Sequence, residues 1–426
     1  MTTNALPPPY GALVEDGRVH GSLYVSDAVY QDEMQRLFHD GWVFCAHESE
    51  IAERGAWLTR RLGGRHVIVS RDEAGAIHVL ANRCSHRGAT LCTAERGVGR
   101  RWQCPYHGWT FANDGRLVGV PHPAGMTRDR VALGLDRAGQ VASYRGFVFA
   151  NLSGTADTLD AHLGSGGRGL IDRLCDLAPG GEVRVTPHWI GHRIASNWKM
   201  WPESDNDGYH FPFVHASVLN AAPDTYYEDT VVNDVDANPS RTVDHGNGHF
   251  ELDLGASFDA PLAWLGTTPD KAAAYVAALT ARHGEYRAQA LLLAGPPHAM
   301  IFPNLFLGEL NLAIVEPRGA GETVHWHNAV QFEGVDAAFN RRLLRQSEAA
   351  LGPASFIVPD DAVVAERMQA GFAGLTETDT ARGWIDISRG AARETVHPDG
   401  RRAGGISDET TNRAFWHHYR RVMTRA

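Results

Sequence analysis

No stretch of this sequence runs to about 18 apolar residues without a charge, so a helix that spans a bilayer is not expected. Met1 to Tyr10 lacks the basic and apolar regions of a secretory signal and is dominated by Pro7-Pro8-Pro9, which leaves the cytoplasm as the expected location, with no membrane partner. Basic residues are too few to favour nucleic acid: 40 Lys and Arg stand against 50 Asp and Glu, a formal charge of -10. Cysteine is scarce. Cys45, Cys84, Cys92, Cys104 and Cys175 are too few and too unevenly placed in 426 residues for a disulfide framework, so metal ligation is the better use for some of them.

What the chain does have is length, and 426 residues exceed the size to which one hydrophobic core usually grows, so two domains are expected. Val29, Met34, Leu37 and Phe38 recur at helical spacing, with Ser26 or Asp27 as cap and Gly41 as stop. From about 42 to 152, short apolar runs such as His66 to Ser70 and Ile77 to Ala81 are separated by Gly63-Gly64 and by Asp72 to Gly75, the pattern of an all-β module. Between Ser153 and Glu182 the composition shifts to Gly, Ala, Ser and Asp, read as a linker with a helix over Gly169 to Leu177. Val183 to Ala195 alternates like a half-buried strand. Residues 220 to 265 read as loop, with a pocket lid as the alternative. Tyr275 to Leu293 is helical in period. Met300 to Phe306, Leu310 to Glu316 and Thr323 to Phe332 form three strand-like runs of an antiparallel sheet. Ala337 to Leu351 is an amphipathic helix, and Ser407 is expected to cap a last helix through Met423.

Two segments carry chemistry. In the first, Cys84-Ser85-His86 and Cys104-Pro105-Tyr106-His107 are separated by seventeen residues. Two Cys-plus-His pairs on two loops hold either structural zinc or a 2Fe-2S cluster in which histidines replace two cysteines on one iron. Zinc sites usually pair Cys with Cys and His with His; one of each per loop suits the cluster. Neutral imidazoles remove negative charge from such a cluster and raise its potential to roughly -150 to +300 mV. Gly88 and Gly108 would let the backbone approach and their N–H groups donate to the sulfides, while Trp102 and Trp109 either shield the cluster or are ordinary core. Cys92 reads as a buried small hydrophobe.

The second segment runs from Asn197 to His215 and packs two imidazoles and several carboxylates together. His210 and His215 become a facial triad for non-haem Fe(II) once one carboxylate arrives from elsewhere. A spacing of five puts side chains about 140° apart on an ideal helix, so the turn must be distorted, and Pro212 supplies the reason. A lone pair of this kind is more often two surface histidines; the cluster motif upstream shifts that balance. Asp360 and Asp361, at the start of a helix, are ordinarily first-turn charges, but one of them is the best candidate for the missing ligand.

Cys84-Ser85-His86-Arg87-Gly88 followed by Cys104-Pro105-Tyr106-His107-Gly108-Trp109, with Asp207 to His215 downstream and Gly146 to Leu152 closing the module, resembles the α subunit of the Rieske non-haem iron, aromatic-ring-hydroxylating oxygenases. The resemblance implies an α+β chain: an N-terminal arm and helix over 1–41, a Rieske all-β domain over 42–155, and a catalytic domain over 156–426 with an antiparallel sheet covered by helices, of helix-grip type. It implies that Cys84, His86, Cys104 and His107 bind the cluster, and that His210, His215 and Asp361 bind Fe(II), Asp361 being chosen over Asp360 from the family's Asp-x4-Glu-x2-Gln-x-Gly pattern. Asp207 is implied to be catalytic, linking His107 of the partner subunit to His210 in a trimer, in preference to Asp205 or Glu203; Glu203 is implied to orient a ligand.

The resemblance further implies a terminal oxygenase that uses O2 and electrons from NADH, passed by a reductase with or without a ferredoxin, to hydroxylate or cis-dihydroxylate an aromatic substrate. The assembly would be α3 or α3β3. The alternatives are demethylation or alkyl or ammonium oxidation with the same metals, and a pure electron carrier, which would leave more than half the chain unexplained. Asp rather than Glu at position 207 tilts the choice towards an aromatic substrate. Phe213, Val214, Leu219, Phe302, Leu305, Phe306, Phe356 and Ile357 are candidate pocket walls, and arginines of the second domain could bind a ring carboxylate, none of them singled out by the sequence.

Overall fold

The computed structural model describes residues 8–217, 238–355 and 357–425. Two compact units result: Met34–Leu159, and Met1–Glu33 together with Asp160–Ala426.

In the smaller unit, period-two apolar runs give antiparallel strands as the sequence predicts. Ile77–Ala81, Arg65–Arg71, Ala56–Leu62 and Arg96–Val98 make one sheet in that order. Between its first two strands, the Asp72 carboxylate accepts the N–H groups of Ala74 and Ala76, both at 2.9 Å, which fixes the turn. Val43–His47 pairs with Phe147–Asn151, which pairs with Gln140–Tyr144. A third small sheet comprises Leu117–Gly119, Thr110–Ala112 and Arg101–Gln103. Ile68, Leu80, Phe111, Leu117, Leu133 and Leu135 close a core around Cys84 and Cys104.

The leading helix spans Asp27–Arg36, and Ser26 Oγ accepts the Val29 N–H at 3.2 Å as its cap. It stops five residues short of Gly41, whose Cα lies so close to the Leu37 carbonyl that a Cβ there would collide. Glycine is needed at that position for close approach, not for helix termination.

In the larger unit the expected antiparallel sheet is present. Its strands run Val183–Val185, Glu322–Phe332, Asn311–Gly319, Leu305–Gly308, His298–Ile301, His249–Asp253, Arg241–Gly246, Arg402–Gly405 and Thr395–Val396, with Ile190–Ile194 also on Glu322–Phe332. Three expectations change here. Val183 to Ala195 is two strands, because Thr186-Pro187 interrupts the ladder. Met300 to Phe306 is likewise the end of one strand and the start of the next, turning at Phe302 to Asn304. Tyr275 to Leu293 is two helices, Ala273–His283 and Glu285–Ala294, divided at Gly284 with φ of 78°.

The expected linker is mostly helix, Leu159–Asp176, broken only at Gly164 with φ of 56°. Gly166 and Gly167 sit inside it and press against His245 and His249, which leaves no room for side chains. Those glycines serve packing rather than chain breaking. Helix Ala337–Leu351 is capped by Asp336, which accepts the Phe339 N–H at 2.8 Å. Ser407 does not cap the last helix, which begins at Thr410; the Ser407 hydroxyl instead accepts from Arg389 at 3.2 Å. That helix packs on the strands Arg241–Gly246 and His249–Asp253, where Phe415 meets Phe250 edge to face. Val358–Gly371 is helical, with Asp360 and Asp361 in its first turn.

Candidate metal centres and the catalytic cavity

The two cysteine loops are built alike. Cys84 N–H donates to the Ala89 carbonyl and its carbonyl accepts the Gly88 N–H; Cys104 repeats the pattern with Trp109 and Gly108, all at 2.7–3.0 Å. Each turn needs a residue at positive φ, and Gly88 (78°) and Gly108 (69°) provide it. Because these glycine N–H groups are spent on cysteine carbonyls, the expected donation to sulfide does not follow. Both thiols are buried and unbridged. Burial, reinforced by the neighbouring Cys104 thiol, pushes the Cys84 pKa up.

His86 and His107, on the same two loops, have ring centroids 4.7 Å apart. Nδ1 of His107 is buried without a hydrogen-bond partner, and burial, then His86 and Arg87, lowers its basicity. A half-buried imidazole whose shielded Nδ1 has no partner, on a loop that also carries a buried thiol, fits a ligand set for a 2Fe-2S cluster. Trp109 stacks on His86 at 4.6 Å, so it covers the site, whereas Trp102 meets Trp57 edge to face in the core. Cys92 is held apart: its backbone is bonded by the Asn82 side chain, and burial raises its thiol to about 12. It is an inert small hydrophobe, as expected.

In the larger unit Phe211–Val214 forms a single helical turn with Pro212 near its start, and this short turn lets both histidines face one point. Nε2 of His210 lies 3.2 Å from Nε2 of His215; Oδ1 of Asp361 is 3.4 Å from the first and 3.3 Å from the second. Three lone-pair atoms that close repel unless a cation or proton sits among them, so the trio could hold a metal ion. Asp360 reaches only the other side of His215, 3.7 Å from Nδ1.

Of the three acidic candidates upstream, Asp207 is the one whose carboxylate meets His210, Oδ2 to Nδ1 at 3.1 Å. Burial alone would lower the His210 pKa, but Asp207 and Asp361 outweigh it and raise it to about 10. The same contacts hold Asp361 below its usual value despite burial. Glu203 orients no ligand: it accepts from Tyr24 Oη at 2.7 Å and Trp416 Nε1 at 2.5 Å. Asp205 faces His325, 3.6 Å from Nε2.

A cavity of about 80 Å³, partly open to solvent, adjoins the trio. Of the expected walls, Phe306 and Ile357 line it. Phe213 points to solvent and Phe302 packs on Phe415 and His418 instead. Leu219 and Phe356 lie outside the described residues, as do residues 220–237 of the expected loop or lid, whereas its remainder contains the strands Arg241–Gly246 and His249–Asp253 and is not simply loop. Unforeseen were Asp205, His298, Glu309, Asn311, His325 and His327, which make part of the lining polar. The one available signal was His325 and His327 at i, i+2 on a strand, which puts both on one face.

Residues 41–144 match the Rieske (2Fe-2S) domain, and residues 176–425 match the ring hydroxylating alpha subunit (catalytic domain). The large subunit of anthranilate 1,2-dioxygenase from Acinetobacter baylyi is 30% identical over 419 residues, 94% of this chain and 86% of that one. The alpha subunit of N,N-dimethyl phenylurea N-demethylase from a Sphingobium species is 38% identical over 210 residues, 48% of this chain and 45% of that one. Among solved structures, naphthalene 1,2-dioxygenase from Rhodococcus bound to indole matches with a TM-score of 0.83 at 25% identity, over 99% of both chains. No helix among the described residues is long and apolar enough to cross a membrane. With one match spanning more than half of the chain and a Rieske domain ahead of it, the protein belongs to the ring-hydroxylating alpha-subunit family, mononuclear-iron oxygenases of dioxygenase type.

Proposed function

We propose that this chain is the terminal oxygenase of a multicomponent system that hydroxylates or cis-dihydroxylates an aromatic ring. Cys84, His86, Cys104 and His107 hold the 2Fe-2S cluster of a domain over 42–155, and His210, His215 and Asp361 hold Fe(II) in a domain over 156–426. When bound, these groups supply single-electron transfer and O2 activation. The observation that carries the reading is the convergence of the His210, His215 and Asp361 donor atoms within 3.2–3.4 Å in the wall of a cavity that Phe306 and Ile357 also line.

The residues divide the remaining work. Asp207 fixes the His210 ring through Nδ1, which directs Nε2 at the metal position and sets the tautomer. Its carboxylate retains some exposure, enough to accept from a second imidazole. That imidazole is proposed to be His107 of the partner subunit, in an α3 or α3β3 assembly, with electrons coming from NADH through a reductase, with or without a ferredoxin. The proposed setting is the cytoplasm, where NADH is made. Phe306 and Ile357 provide apolar walls that exclude water from the ring.

A second reading, N-dealkylation by the same metals, is favoured by the 38% identity to the phenylurea N-demethylase subunit over about half of the chain. One experiment separates the two: a single turnover of reduced protein under 18O2. Ring hydroxylation puts label in a phenol or in both oxygens of a cis-diol; demethylation releases formaldehyde, counted by chemical trapping because its oxygen exchanges with water, and leaves the demethylated amine. Absence of ring label together with absence of formaldehyde would refute both.

A further inference from the structure

The polar part of the cavity lining has not been given a task. Asn311 is 1% exposed; its Nδ2 donates to Ser347 Oγ at 3.0 Å, and its Oδ1 is buried with no hydrogen-bond partner. Nε2 of His298 donates to the Asp205 carbonyl at 2.6 Å, and in the tautomer with its proton there Nδ1 can accept. That Nδ1 is buried, makes no hydrogen bond and stands 3.6 Å from Glu309 Oε1. His325 is also 1% exposed and neither of its ring nitrogens makes a hydrogen bond. A native interior rarely leaves so many polar atoms unmatched in one place. A bound molecule that satisfies them is the simplest reason for keeping them, and most of the free valences are acceptors.

Charge narrows the class further. The lining contains Asp205, Asp207, Glu309 and Asp361 and, among the described residues, no lysine or arginine. Residues 1–7, 218–237, 356 and 426, which complete the chain, contain no lysine or arginine either. Away from the proposed iron, a ring carboxylate would therefore meet no cationic side chain and would lie near the carboxyl groups of Asp205 and Glu309, which is costly. Among the described residues, none of the arginines that could bind such a group lines the cavity.

Resting on the oxygenase reading, we propose that Asn311, His298 and Glu309, with the Asp205–His325 pair beside them, select arenes that carry a neutral hydrogen-bond-donating substituent, an amino, anilide or hydroxyl group, and reject aromatic carboxylates. The site thus differs in substrate class from what the name of anthranilate dioxygenase, its relative at 30% identity, describes.

Equilibrium dialysis on the iron-loaded holoenzyme with aniline, acetanilide, toluene and benzoate tests this. Aniline and acetanilide are expected to bind about tenfold or more tightly than toluene, the worth of one buried hydrogen bond, and benzoate weakest. Asn311→Leu is expected to bring the aniline-to-toluene ratio to about one. Glu309→Gln, which keeps side-chain size, is expected to narrow the gap between aniline and benzoate, and it decides the matter if the leucine variant does not fold. Benzoate binding as tightly as aniline, or an unchanged gap in Glu309→Gln, overturns the proposal. So does failure of all four probes to bind, while O2-dependent oxidation of any arene judges the oxygenase reading separately.

Discussion

Oδ2 of Asp207 lies 3.1 Å from Nδ1 of His210, on the side of the ring opposite the nitrogen that faces His215 and Asp361. The contact is short enough to orient the imidazole and leaves the carboxylate partly exposed. From it follows that Asp207→Ala keeps both metal sites but loses about 100-fold or more in turnover, in the range of outer-sphere ligands or beyond it. Iron content should match the parent, and a prereduced cluster should stay reduced under O2 and substrate. Reoxidation at the parent rate contradicts the role assigned to Asp207.

Glu33 anchors the N-terminal segment. Its carboxylate accepts from Lys199 Nζ and Tyr419 Oη, both at 2.6 Å, and from Trp198 Nε1 at 2.8 Å, and the Glu33 and Lys199 side chains are 0% exposed. Burial lowers the Lys199 pKa, and Glu33 opposes that shift. Glu33→Ala leaves a buried ammonium unpaired and should cost about 3–5 kcal/mol in a urea unfolding midpoint experiment. The double replacement Glu33→Leu with Lys199→Met should recover most of that loss.

Glu203 sets a pH dependence. Burial raises its pKa from 4.5 to about 7, against the bonds from Trp416 and Tyr24 that favour the ionised form. Between these values the folded chain holds a proton that the unfolded chain has lost, so this group's contribution is full below about 4.5 and fades as pH rises through about 7. Glu203→Gln should therefore gain relative to the parent by up to about 3 kcal/mol between pH 4.5 and 8. Glu409, also raised to about 7 mainly by burial, titrates in both proteins and cancels. Parallel stability curves for the two proteins would contradict the assignment.

Which parts of this were legible in the sequence follows from what each signal depends on. The strands Arg65–Arg71 and Ile77–Ala81 announce themselves because period-two burial and an Asx turn are local properties. Cys84, His86, Cys104 and His107 are readable because each loop repeats one short motif. Asp361 is not: a first-turn aspartate looks the same whether or not two histidines from 150 residues earlier converge on it, and only the family resemblance picks it out. Gly166 and Gly167 misled in the other direction, since a glycine demanded by close packing on His245 and His249 reads as a helix breaker. The polar lining was hidden because Asn311, His298 and His325 come from three strands, and each alone looks like a satisfied core residue.

Iron and acid-labile sulfide, counted per chain in the purified protein and in Asp361→Ala, decide whether one polypeptide holds both a cluster and a separate oxygen-activating ion. Three irons and two sulfides are expected for the parent, falling to two and two in the variant with the visible spectrum of the cluster unchanged. Zinc bound at the Cys84 and Cys104 loops, or an iron count that Asp361→Ala does not alter, would contradict it.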